Sequence, residues 1–293
     1  MIVTTMRIDH HREKAEEEVK HTLLHPSTPI PTHPHTHKRL SAGVCLVGLG
    51  VLLTTGAALG AETVAERVRQ PYDAIRSLDC EIRRDTPLPS GGSARMLSRV
   101  YFQRGDRMHV ETSVPLVRRI VCDGTNFYSY LEGMPRGYGV PVSRLRDDML
   151  DNLRSVPGSP EMALRPLRNV PETPLPATAD HPVRAGYDNG KTFTVLALDG
   201  QARLARLEVY GSSAMSNLIA RTDYSAYREV LPGVWIACTQ KTRATLRGKL
   251  REETLRVSNL TVNGEQPASL FNPDAFFSGV AFTDSLAEPG ERP

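Results

Sequence analysis

Residues 98–130 read SRVYFQRGDRMHVETSVPLVRRIVCDGTNFYSY, three short runs that alternate apolar and polar side chains between turn signals. Val100 and Phe102 fall on one face of the first run, opposite Arg99, Tyr101 and Gln103. Arg104-Gly105-Asp106 turns the chain, after which Met108 and Val110 alternate with Arg107, His109 and Glu111. LVRRIVC, a turn at Asp123-Gly124, and FYSYL continue the series. A period of two punctuated by glycine turns is the pattern of an antiparallel meander with one apolar and one wet face. His109 is therefore expected on the wet side.

Upstream, residues 61–77 place Val64, Val68 and Ala74-Ile75 on one helical face, disturbed by Pro71. CEIRRDT then reads as a strand, and residues 87–93 as a Pro/Gly/Ser loop. Downstream, Ser143–Ser155 puts Leu145, Met149 and Leu153 at i, i+4 and i+8 with Leu150 flanking, and Ser143 as the expected N-cap. PEMALRPL adds a short helix, and Pro166–Pro182 reads as a connector. Strands resume with KTFTVLALD, ARLARLEVY, LIARTDYSAYREV and VWIACTQKTRA, and end with KLREETLRVSNLTVN. The order helix, strands, helices, strands predicts an α+β, mainly antiparallel fold: a single large curved sheet, an incomplete β-barrel, with a few helices covering its concave face. Residues 61–277 form the expected domain, and 278–293 a disordered tail.

The first sixty residues are set apart. Lys38-Arg39 precedes the uncharged run Leu40–Gly60, which ends in small residues, the parts of a secretory signal peptide. Glycines and threonines dilute that run, so cleavage near Gly60 is expected, with retention as an anchor the alternative. The protein is then periplasmic. Seven of the nine histidines precede residue 38, in a segment that reads either as a metal-binding tail or as leader removed with the signal.

From residue 61 onward 30 Lys+Arg face 28 Asp+Glu, nearly all the cations being Arg and interspersed with the acids. No phosphate-tracking stripe results, so nucleic acid is not an expected partner. Cys80, Cys122 and Cys238 are far apart with no Cys-x-x-Cys spacing; each reads as a small buried hydrophobe, with pairing of two left open.

Catalytic chemistry is missing. His109 and His181 have no Ser or Asp at a spacing that suggests a triad, and no Gly-x-Ser-x-Gly elbow occurs. Asp147-Asp148 and Glu252-Glu253 are adjacent carboxylates whose side chains diverge. With no phosphate loop and no metal-ligand cluster, no cofactor and no enzyme activity are expected. A curved sheet under helices can still enclose a greasy ligand. Phe102, Met108, Val110, Phe193 and Trp235 on strands, with Leu145, Met149 and Leu153 on the helix, would line such a cavity. The same residues would equally fill a solid core, and periodicity does not separate the two.

The progression from Val100 to Tyr130 resembles the periplasmic outer-membrane lipoprotein carriers (LolA-like). There a strand ends in Arg, turns, returns with alternating apolar residues and meets an Asp-Gly turn followed by aromatics. Here these are Arg104, Gly105-Asp106, Met108 and Val110, then Asp123-Gly124 with Phe127 and Tyr128. The ending is similar too, with Val262-Asn263, Pro267 and Leu270-Phe271. The resemblance implies an incomplete barrel lidded by helices, with Arg104 latching the lid and Met108 where a cavity aromatic is usual. It implies a monomeric carrier of lipid or lipoprotein acyl chains that meets inner- and outer-membrane lipoprotein-handling proteins. The alternative on the same fold is an envelope sensor or protein-interaction module without lipid transport.

Overall fold

The computed structural model describes residues 62–88, 91–246 and 248–284. The leader and signal fall outside the described residues.

Helix α1, Val64–Arg69, starts at Thr63, whose hydroxyl accepts from the Glu66 amide while the Glu66 carboxylate takes the Thr63 amide. Pro71 lacks an amide hydrogen, and the helix gives way there to a 3-10 turn, Gln70–Ala74. Six strands follow: β1 Ser77–Pro87, β2 Ser93–Gln103, β3 Arg107–Val114, β4 Arg118–Asp123, β5 Asn126–Leu131 and β6 Gly137–Pro141. Helices α2, Asp147–Arg154, and α3, Glu161–Leu164, come next. The second series is β7 Glu172–Leu175, β8 Val183–Asp188, β9 Phe193–Leu198, β10 Leu204–Tyr210, β11 Leu218–Leu231, β12 Val234–Leu246 and β13 Lys249–Val262. A two-residue strand, β14, Phe282–Thr283, ends the described chain.

All fourteen belong to one open sheet in the order β14-β6-β5-β4-β3-β2-β1-β13-β12-β11-β10-β9-β8-β7. Every pairing is antiparallel except β14 with β6. The chain thus steps outward from β1 to β6, reappears at the far edge as β7, and steps back inward until β13 pairs with β1. The connection that makes this passage carries α2 and α3. Consecutive antiparallel strands need only turns, so the two meanders form locally and the helical middle must travel from one edge of the sheet to the other.

Register fixes which side chains face the helices. Leu78 lies opposite Phe102, Cys80 opposite Val100, Phe102 opposite Met108, and Met108 opposite Cys122. In the other half Ala185, Tyr187, Leu196, Leu198 and Leu207 pack with Val64, Val68, Leu164 and Leu167 of the helical segments. Two hydrogen bonds pin the start of α1 there: the Val64 amide donates to Glu172 (2.5 Å) and the Ala65 amide to the Tyr187 hydroxyl (2.9 Å). Tyr187 in turn donates to Glu172 (2.6 Å). Tyr224 and Tyr227, three residues apart, both meet this cluster. Between them Ser225 and Ala226 are both exposed, with Ala226 in the left-handed region at φ 53°, while the pairing with β12 keeps its register from Ser225 to Tyr227.

Four expectations require correction. The α2 helix begins at Asp147, capped by Arg146 without a side-chain bond, and Ser143 sits in a separate 3-10 turn, Val142–Arg144. The Pro166–Pro182 connector contains strand β7, whose Pro174 is tolerated because β7 is an edge. Phe282–Thr283, read as tail, pairs with β6, while residues 285–293 lie outside the described residues. Lastly, His109 is not on a wet face.

The chain after β13 folds back over the outer side of β3–β5. Phe276 covers His109 at a tilt (ring centroids 4.4 Å apart, planes at 47°), and Phe277 meets Tyr128, Tyr130 and Phe282. His109 is left 1% exposed, with neither ring nitrogen hydrogen-bonded. Burial holds it neutral and lowers its pKa to about 4, against the opposing pull of Glu111. Because the folded-state pKa is depressed, His109 costs nothing above pH 6.5, where it is neutral in both states. As pH falls from 6.5 to about 4 the unfolded chain takes up a proton that the fold refuses, costing up to about 3 kcal/mol. His109→Phe keeps the ring contacts and removes the titration. Urea midpoints at pH 7 and pH 5 are expected to diverge in the wild type by more than in the variant; equal pH slopes would contradict this account.

Candidate functional site

The end of β2 places Arg104 at the seam between sheet and helices. Its guanidinium makes four hydrogen bonds. Nε donates to the Ile75 carbonyl (3.2 Å), Nη1 to the Arg154 carbonyl at the end of α2 (2.8 Å), and Nη2 to the Tyr72 carbonyl (2.9 Å) and the Glu161 carboxylate (3.3 Å). The same guanidinium lies over the Phe102 ring, 5.5 Å from its centroid. One planar fork thus joins a strand to the segment after α1, to α2 and to α3.

Neighbouring contacts hold the same seam. Arg154 forms a bidentate pair with Asp106 in the β2–β3 turn, both oxygens at 2.9 Å. Asp106 sits at φ 62°, a conformation a short polar residue in a tight turn accepts. Asn263, also in the left-handed region, grips the 74–77 segment from the other side: its Oδ1 accepts the Arg76 amide (2.7 Å) and its Nδ2 donates to the Ala74 carbonyl (3.0 Å). Glu161, 4% exposed, also takes the Val156 amide at 2.6 Å, so its charge is met from two directions. Arg165 ties α2 to the turn after α3 through Asp151 (2.7 Å).

Beneath this seam Phe102, Met108, Leu145 and Leu153 are all buried, between 1% and 6% exposed. Val110 and Met149 are half-buried. Phe193 and Trp235 do not join the group. Phe193 alternates with Thr194 and Leu196, so it points away from the helix-facing cluster, its ring against Gly186 where an added Cβ would lie 2.3 Å from Cζ. Trp235 stands at the start of β12 with the Arg203 guanidinium 5.2 Å from its ring. Its carbonyl accepts the Tyr72 hydroxyl (2.8 Å).

Two hollows lie elsewhere. One, of about 150 Å³, is bounded by Asp79, Tyr101, Glu265, Gln266 and Leu270; the other, of about 100 Å³, lies between α1 and residues 164–170. Both are smaller than the roughly 300–1,000 Å³ of usual small-molecule sites. Neither Arg104 nor any of the eight cavity candidates touches either hollow.

Sequence reading missed Glu161, Asn263 and Tyr72 as partners of the seam. Asn263 carried a signal, the Val262-Asn263 pair in the ending on which the resemblance rests. Glu161 carried none, because its role depends on the helical crossover bringing it to Arg104.

Nucleophile chemistry is subdued. Burial pushes the Cys80 thiol up to about 12 and the Cys122 thiol up to about 11, and among the described residues the cysteines are unpaired. Among the described residues no cluster of three His, Cys, Asp or Glu is placed to hold a metal ion, and no helix is long and apolar enough to cross a membrane.

No protein-family model and no curated protein matches the chain. Solved structures do. A LolA superfamily protein from Nitrosomonas europaea is similar at 14% identity and TM-score 0.47, over 72% of this chain and 99% of that one. A candidate outer membrane lipoprotein-sorting protein domain from Vibrio parahaemolyticus is similar at 14% identity and TM-score 0.47, over 71% and 94%. A DUF1329 family protein from Desulfovibrio piger is similar at 13% identity and TM-score 0.46, over 72% and 95%.

Proposed function

We propose that the chain is a non-enzymatic extracytoplasmic carrier that holds lipid or lipoprotein acyl chains between its sheet and its helices, in outer-membrane lipoprotein sorting, with Arg104 as the catch. The observation that carries this reading is the four-way hydrogen bonding of Arg104 across the seam. Polar, directional contacts concentrate at the seam, whereas the contacts beneath it are apolar and non-directional. Opening the catch would separate helices from sheet along a surface of Phe102, Met108, Leu145 and Leu153. An acyl chain replacing those contacts gains about 0.8 kcal/mol per methylene removed from water and needs no charged anchor.

Native mass spectrometry of the exported protein, before and after organic extraction, tests the reading. Co-purifying acyl species that leave on extraction, and that Met108→Glu abolishes in a still-folded protein, are the expected result. A clean mass that does not change when lipopeptide is added sinks it.

A second reading, an envelope sensor or protein-interaction module, draws on one observation: the helix-facing residues already fill the space beneath the seam. Recovery of one specific protein partner by a chain that binds no lipid is its expected signature.

A further inference from the structure

Antiparallel order sends alternate connections to opposite ends of the sheet. The β1–β2, β3–β4, β5–β6, β10–β11 and β12–β13 connections all emerge at one end. The β2–β3, β4–β5, β9–β10 and β11–β12 connections emerge at the other.

The two ends differ in kind. Among the described residues nine large apolar side chains are exposed, and every one is at the first end. Leu88 opens the β1–β2 loop; Leu97, within β2, pairs with Val114 at the end of β3; Leu116 and Val117 belong to the β3–β4 loop, and Met134 tips the β5–β6 loop. Met215 and Leu218 belong to the β10–β11 loop, and Leu250, 65% exposed, to the β12–β13 hairpin. That hairpin stands proud, because β13 pairs with β1 only from Thr254 onward. At the second end the turns at Gly105-Asp106, Asp199-Gly200 and Pro232-Gly233 carry no exposed large apolar tip among the described residues.

Charge follows the same division. Arg95, Arg136, Lys249 and Arg251 are exposed at or near the apolar end, against Glu132 and Asp188 as exposed acids, while Arg243 is balanced by Glu252 across the hairpin (2.7 Å). Three guanidiniums, from Arg83, Arg95 and Arg256, converge on the single carboxylate of Asp85 at 2.8–3.3 Å, leaving cationic excess beside Leu88 and Leu97.

We infer that this end of the sheet docks onto an anionic lipid bilayer, several loop tips entering the interface together while the arginines and lysines meet headgroup phosphates. The distribution favours a bilayer over a protein partner. The apolar tips stand on five separate loops rather than in one groove, and a fluid layer accepts scattered points that a protein surface would have to match pocket by pocket. Basic residues between apolar tips complement an anionic surface. The inference does not depend on the carrier reading, since a protein that holds no lipid can still dock.

Single-tryptophan variants of the full chain test it. In a Trp235→Phe background, Leu116→Trp and Leu250→Trp probe the docking end and Gln201→Trp the opposite one. The probe ligands are vesicles of phosphatidylcholine with and without phosphatidylglycerol. Emission from positions 116 and 250 is expected to shift to the blue on phosphatidylglycerol vesicles, with position 201 unchanged. Arg95→Glu with Arg251→Glu is expected to weaken partitioning about tenfold or more. Two results overturn the inference. One is vesicle binding that leaves positions 116 and 250 unshifted, which would assign the contact to the apolar run at 40–60. The other is no binding at all, which would make the apolar end a protein-facing surface.

Discussion

Arg104→Ala is expected to lower the unfolding free energy by about 3 kcal/mol and the melting midpoint by roughly 6–12 °C. The substitution removes donors from the carbonyls of Tyr72, Ile75 and Arg154 and strands Glu161, only 4% exposed, without its cation. Removing one partner of a buried pair costs about 3–5 kcal/mol; the low end applies because Arg104 is 32% exposed and water can reach the vacated space. Arg104→Lys is expected to recover less than half, since an ammonium is a point charge and cannot span carbonyls that a planar fork joins. Adding Glu161→Gln to Arg104→Ala should restore part of the loss by removing the stranded charge. Hydrogen exchange should quicken first in residues 72–77 and in α2, where the lost bonds end. A melting midpoint equal to the wild type would show that the seam is held by other contacts and that Arg104 is no catch.

Phe102→Ala is expected to cost about 3–5 kcal/mol. Phe102 is 1% exposed, lies opposite Leu78 and Met108 on its two neighbouring strands, and carries the Arg104 guanidinium over its ring. Truncation therefore opens a void on the helix-facing side of the sheet and loosens the seam above it. Met108→Leu, which nearly conserves volume, should cost less than about 1.5 kcal/mol. Urea unfolding of the two variants checks the contrast. A loss below about 1 kcal/mol for Phe102→Ala would mean the interior collapses readily onto missing volume. Such compliance is what a chamber that admits acyl chains requires.

The period-two runs determined the meander, the apolar set Val100, Phe102 and Met108, and the turns that separate the strands, because each rests on contacts between residues close in sequence. The element order likewise determined a sheet with helices over one face. What lay outside sequence reach was set by partners far along the chain. His109 reads as a wet-face residue until Phe276, well over a hundred positions later, folds over it. Phe193 and Trp235 carry the same apolar signal as Phe102, yet register turns the first away from the helices and places the second at a strand start beside Arg203. Whether Arg104 also meets the Arg154 carbonyl and the Glu161 carboxylate depends on the crossover from β6 to β7, which carries α2 and α3. Alternation assigns a side chain to a face; only tertiary packing supplies what covers that face, and the covering is what makes a residue core, catch or surface.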